Sequence, residues 1–117
     1  MSVPCEATLD RNQFLAILQN NRRKVIFKFG AEWCGPCKRA DPVIEDCCRY
    51  LPSDIPVYMI DVDESFDLYA YLKSKKIVQS IPTLLCYERG NATYVPNNCL
   101  VGADKDAIIN FFMNAAK

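Results

Sequence analysis

Cys34 and Cys37 stand three positions apart in the stretch Phe29-Gly30-Ala31-Glu32-Trp33-Cys34-Gly35-Pro36-Cys37-Lys38. An apolar, strand-like run precedes them and a helical pattern follows, the context of a dithiol redox site. Cys34 falls where a helix begins, and the free backbone N–H groups there carry partial positive charge. That charge favours a thiolate, and the thiolate is the nucleophile in disulfide exchange. Gly35 and Pro36 suit the turn into the helix, because proline lacks an N–H that would go unsatisfied there. One turn on, Cys37 lies on the same face as Cys34 and can reach its sulfur. The chemistry this predicts is attack by Cys34 on a disulfide, a mixed disulfide, and release by Cys37.

Other uses of cysteine fit less well. A zinc site needs two more ligands. Cys5, Cys47, Cys48, Cys86 and Cys99 form no second Cys-X-X-Cys, so no metal is expected. The chain has no histidine, which excludes Cys-His protease chemistry and histidine-based metal sites. Cys47 and Cys86 sit in apolar patterns and are expected in the core. Cys48 adjoins Cys47 on a helix, where neighbouring side chains diverge, so the two should not be bridged. Cys5 and Cys99 are expected to be exposed and open to intermolecular bonding or glutathionylation.

Trp33-Cys34-Gly35-Pro36-Cys37 resembles, letter for letter, the active-site motif of the thioredoxin family. Ile81-Pro82-Thr83 resembles the family's cis-proline segment, and Val101-Gly102-Ala103 its glycine before the last helix. Pro42 matches the proline that bends the family's long active-site helix. These matches follow family order over nearly the whole chain. The resemblance implies a thioredoxin fold and a protein thiol–disulfide oxidoreductase that binds no cofactor. It implies a cis Pro82 packed against the cysteines, and an apolar lip of Trp33, Ile81, Pro82, Val101 and Gly102 that docks substrate proteins. Recycling by thioredoxin reductase and action as a monomer are also implied.

One position departs from the family. Its usual buried aspartate, six residues before the first cysteine, is here Lys28. Met59 falls near the family lysine that often partners that aspartate, and Gly30 replaces a common aromatic. An ammonium at residue 28 would lower the pKa of nearby thiols; a desolvated, neutral amine would act as a base. A third outcome is that the long stem lets the charge escape to solvent. If the charge stays, the site should be more oxidising, or slower to resolve, than a standard thioredoxin. An oxidase or isomerase-like protein of higher potential is therefore one alternative. A binding module that docks partners through Trp33, Ile81 and Val101 is another.

The elements that must hold this site follow from periodicity. With 117 residues, half of them hydrophobic, the chain predicts one domain spanning 1–117 with a real core. Lys and Arg balance Asp and Glu at fourteen each, which suggests neither nucleic acid nor an anionic membrane as partner. No apolar run approaches the roughly 20 residues that span a bilayer. The start lacks a secretory pattern, and an odd count of seven cysteines points to a reducing compartment, the cytoplasm.

Val3 to Leu9 reads as an edge strand. Asp10 with Gln13 reads as a capping box, opening a helix with Phe14, Leu15, Ile17 and Leu18 inward. Lys24 to Phe29 reads as a central strand, followed by a helix from Cys34 to Tyr50 kinked at Pro42. Val57 to Asp63 is predicted as a strand, then a helix with Phe66, Tyr69 and Leu72 on one face. Thr83 to Glu88 is predicted as a strand, turning at Arg89-Gly90-Asn91 into a strand over Ala92 to Val95. Val95 to Cys99 should form a bulge or enlarged loop. Asp104 should cap a last helix that buries Ile108, Phe111, Phe112 and Ala115. The sum is an α/β fold: a mixed sheet of four to five strands with about four helices on both faces.

Overall fold

The computed structural model describes residues 1–117. In chain order the elements are β1 (Cys5–Ala7), α1 (Arg11–Gln19), β2 (Lys24–Gly30), α2 (Gly35–Cys48), β3 (Val57–Asp61), α3 (Phe66–Ser74), β4 (Thr83–Glu88), β5 (Asn98–Val101) and α4 (Lys105–Ala115). The strands form one sheet ordered β1-β3-β2-β4-β5. β1, β3 and β2 run parallel; β4 and β5 are each antiparallel to the strand before them in the sheet.

Burial explains the order. β2 is buried from Val25 to Gly30, as befits the middle strand with helices on both faces. Its alternating side chains divide the core in two. Phe27 and Phe29 join Phe14 and Leu18 of α1 and Leu68 and Leu72 of α3. Ile26 joins Ala40, Ile44 and Cys48 of α2 and Ile108, Phe111, Phe112 and Ala115 of α4. Lys28 points to this second side as well, which makes it a cation in an apolar layer.

The helix ends follow their expected chemistry. Asp10 accepts from the Gln13 N–H while the Gln13 side chain accepts from the Asp10 N–H, closing the capping box. Asp104 accepts from the Ala107 N–H and starts α4. Pro42 lies inside α2.

Three expectations need correction. Phe66 is exposed; Leu68 and Leu72 carry the buried face of α3 instead, with Tyr69 only partly covered. The last strand is Asn98–Val101, not Ala92 to Val95. Residues 89–97 are the enlarged connection. The Tyr87 hydroxyl donates to the Tyr94 carbonyl, the Tyr94 ring packs edge-on against Tyr71, and the Asn91 side chain donates to Val95 O and Asn97 Oδ1. These local bonds take the backbone that a strand would have needed. Finally, Cys48 and not Cys47 is the fully buried cysteine at the end of α2; Cys47 is half-buried. The buried positions of α2 are 37, 40, 44 and 48, a stripe that leaves residue 47 at its border.

Candidate active site

The carboxyl end of β2 delivers the chain to the site. Strands on its two sides belong to different connections, so a crevice opens there, as is general in open α/β sheets. After Gly30, residues 31–34 turn into α2, and the Cys34 N–H donates to the Ala31 carbonyl at 3.2 Å. Cys34 is the N-cap of α2, in extended backbone conformation. Its sulfur accepts the Cys37 N–H at 3.2 Å. Gly35 and Pro36 fill the first two helical positions. A sulfur thus takes the place of the usual capping oxygen, and the free N–H of Cys37 in the first turn aims at it.

Cys34 and Cys37 are joined by a disulfide, with Cα atoms 5.3 Å apart. Cys34 and Cys37 are both buried. When the bond is reduced, the same N–H and the helix dipole favour charge on Cys34. The Ile81 carbonyl oxygen lies 3.9 Å from the Cys34 sulfur, close enough to receive an S–H donor after reduction.

The Ile81–Pro82 bond is cis. Thr83 Oγ1 donates to the Ser80 carbonyl at 2.7 Å and pins this turn. Gly102 N–H donates to the Pro82 carbonyl at 2.9 Å, which ties the end of β5 to the proline loop. Gly102 has φ +107°, a conformation that an L side chain would strain. Val101 pairs with Thr83 across the ladder and remains exposed. Ile81, Pro82, Val101 and Gly102 therefore meet beside the disulfide. Trp33 is 70% exposed, and its indole N–H donates to Asp63 Oδ2 at 2.8 Å. Asp63 thus touches the residue before the dithiol, a contact that no local pattern in the sequence marks.

Lys28 lies behind the disulfide and does not escape to solvent. Its side chain is 6% exposed, and its Nζ is 2.7 Å from Asp41 Oδ1. That oxygen is buried and has no aligned hydrogen-bond donor, so the contact is one of charge. Asp41 is on α2 one turn past Cys37, the same-face spacing of a helix. Met59 of β3 lies next to Lys28 in the ladder, as the resemblance implied. A cavity of about 600 Å³ opens over this pair, walled by β1, β3 and α2.

The remaining thiols have a different character. Burial pushes the Cys48 thiol up to about 12 and the Cys86 thiol up to about 11. Burial also raises Cys47 and Cys99 above the ordinary range. Cys5 and Cys99 are exposed, as expected.

Comparison with known proteins agrees with this geometry. Residues 6–114 match the family model named thioredoxin. The chain belongs to the thioredoxin family. It is 35% identical over 97 residues to thioredoxin-2 of Saccharomyces cerevisiae, covering 83% of this chain and 85% of that one. It is 33% identical over 96 residues to thioredoxin 1 of Plasmodium falciparum, covering 82% and 83%. Thioredoxin of Trichomonas vaginalis superposes with a TM-score of 0.76 over 94% of this chain and 95% of its own, at 22% identity, a likeness of fold. The five-stranded mixed sheet with four helices is thus the thioredoxin fold, and this thioredoxin-family chain is a protein-disulfide oxidoreductase.

Within that family reading, Asp41 could not be found from its own type. It acquires meaning only next to Lys28. The available signal was Lys28 itself: a cation in the central strand needs a counter-ion, and the nearest helix offers one acid at the right turn. No group of three or more His, Cys, Asp and Glu is arranged to hold a metal ion. No helix is long and apolar enough to cross a membrane.

Proposed function

We propose that this protein reduces disulfides of partner proteins through Cys34 and Cys37. The Cys34 thiolate attacks one sulfur of the substrate bond, the other substrate sulfur leaves as a thiolate, and a mixed disulfide forms. Cys37, deprotonated, then attacks Cys34; the Cys34–Cys37 bond forms and the second substrate thiolate leaves. Two electrons pass from the dithiol to the substrate. The observation that carries this reading is the bonded cysteine pair at the first turn of α2, with the Cys37 N–H on the Cys34 sulfur.

In this reading Trp33, Ile81, Pro82, Val101 and Gly102 dock the substrate segment. The backbone of Ile81 is close to Cys34 and free of the sheet ladder, so it suits an extended peptide. Gly35 and Pro36 shape the turn that exposes the N–H groups. The chain acts alone, as one domain and a monomer, without a bound cofactor, in a reducing compartment such as the cytoplasm. Thioredoxin reductase is the proposed electron donor.

The buried Lys28 charge favours a second direction of use. An ammonium beside the dithiol stabilises its thiolate form, and stabilising the reduced state makes a dithiol more oxidising. The test is reduction of a disulfide-bonded model protein, driven first by thioredoxin reductase with NADPH and then by dithiothreitol. Turnover with both donors is expected. No turnover with either would overturn the oxidoreductase mechanism, and turnover with dithiothreitol alone would remove the reductase as partner.

A further inference from the structure

The Lys28 ammonium touches the Asp41 carboxylate and, across Gly30, lies near the Cys37 sulfur. Gly30 is what lets the second approach occur. A Cβ added to Gly30 would collide with Lys28 Nζ, and would lie 2.9 Å from Lys28 Cε and 3.2 Å from Cys37 Sγ. Ammonium and sulfur therefore border the same small space, within the roughly 4–6 Å over which one charge shifts another group's ionisation. Cys37 is 1% exposed, so its thiolate would otherwise be costly.

The other charged groups facing the cavity are Glu6 of β1, Glu32 and Lys38 around the start of α2, and Asp61 and Glu64 at the end of β3. Among all of these only Asp41 is in ionic contact with Lys28. On the β4 side Lys28 meets Leu84, which carries no charge.

We propose that Lys28, Asp41 and Gly30 form a counter-charge device for the resolving thiol. The ammonium holds Cys37 as a thiolate at the mixed-disulfide stage. Asp41 lies against the ammonium and limits its pull on the sulfur. Gly30 is the positioning residue that leaves room for the two to meet. The Cys37 S–H bond breaks, its proton passes to solvent, and the electron pair left on sulfur forms the new bond to Cys34 as the Cys34–substrate bond breaks. This rests on the oxidoreductase reading above, and places a cation where the family's usual proton-handling group is an anion.

The experiment is a single-turnover reaction of the reduced protein with an aromatic disulfide. Stopped-flow absorbance follows release of the first and the second aryl thiolate from pH 5 to 9. The first release reports Cys34, the second Cys37. Lys28→Met is expected to move the midpoint of the second release to higher pH, slowing it at neutral pH about tenfold for each unit moved. Gly30→Ala should move it the same way by a smaller amount, because the added methyl displaces the lysine head. Asp41→Asn should move it to lower pH, because the ammonium's charge then acts on the thiol without a carboxylate to offset it. Opposite signs for Lys28→Met and Asp41→Asn are not what general loosening of the fold would give. Superimposable profiles would overturn the proposal. So would Asp41→Asn moving with Lys28→Met, which would make Asp41 the base. If Lys28→Met does not fold, the half-exposed Asp41 substitution decides by its sign alone. Absence of the first release in the wild type would instead be a failure of the oxidoreductase reading.

Discussion

One helix, α2, carries two pairs of cysteines with opposite properties. At its entry, Cys34 and Cys37 are three apart, share a face and are bonded. At its exit, Cys47 and Cys48 are adjacent, diverge, and are free. The sulfur at the entry receives a backbone N–H at 3.2 Å. Cys48 belongs to the apolar cluster that includes Ile26, Ile44, Leu51 and Ile55, and burial pushes its thiol up to about 12. The helix dipole adds to the contrast, since its amide end favours an anion and its carbonyl end disfavours one. The residue type is the same; position along one helix, and access to water, decide which thiols can react.

The strongest way to break this contrast is to remove each sulfur in turn. Cys34→Ser should lower disulfide reduction on the order of 10⁴-fold or more, the scale set by loss of an activated nucleophile. Cys37→Ser should retain the first attack and accumulate the mixed disulfide, visible as a mass increase equal to the trapped substrate. Cys48→Ala should leave both steps intact. Turnover assays with intact-mass measurement check all three. Loss of turnover in Cys48→Ala while its fold is retained would mean that the two ends of α2 are not independent.

The exit pair should instead reveal itself in stability. Cys48→Ser puts a hydroxyl into an apolar cluster, a cost of about 1–3 kcal/mol. That should lower Tm by several degrees, with turnover at the assay temperature retained. Cys47→Ser, half-buried at the border of the stripe, should change Tm little. Thermal unfolding of the two variants side by side checks the ranking.

Sequence pattern carried the site further than it carried the elements around it. The dithiol was legible because its chemistry is local: spacing, helix start and proline all lie within five residues. The α4 stripe and the Asp10 capping box were legible for the same reason, as each rests on one periodicity or one cap. The exit of α2 was not. Ile44 is followed by cysteines at both i+3 and i+4, and either spacing continues a helical stripe; packing in the cluster with β3 and α4 chooses Cys48. The last strand was misplaced because Ala92-Thr93-Tyr94-Val95 has strand-forming side chains, while two of its carbonyls are taken by Tyr87 and Asn91 from outside the segment. Lys28 was noticed as a departure, but its fate depended on Asp41, thirteen residues away, and on an empty position at Gly30. Such pairings are tertiary facts and leave no mark on periodicity.

The subtlest consequence of the contrast is a pH dependence at the exit end alone. The Cys48 thiol ionises near 9.0 when free and only near 12 when folded, because burial penalises the anion. Between those values the unfolded chain has lost this proton and the folded chain has kept it. Folding stability from this group is therefore full below about pH 9 and falls as pH rises, by at most about 1.4 kcal/mol per pH unit for one proton. Cys86, pushed up to about 11, adds a second term of the same sign over a narrower window. Urea unfolding at pH 8, 9 and 10 should give a declining stability in the wild type and a shallower decline in Cys48→Ala. The oxidised Cys34–Cys37 pair has no proton to lose, so Cys34→Ser with Cys37→Ser should leave that slope unchanged across the same range. Equal slopes in Cys48→Ala and wild type would mean that the Cys48 sulfur reaches water, and that burial is not what separates the two ends of the helix.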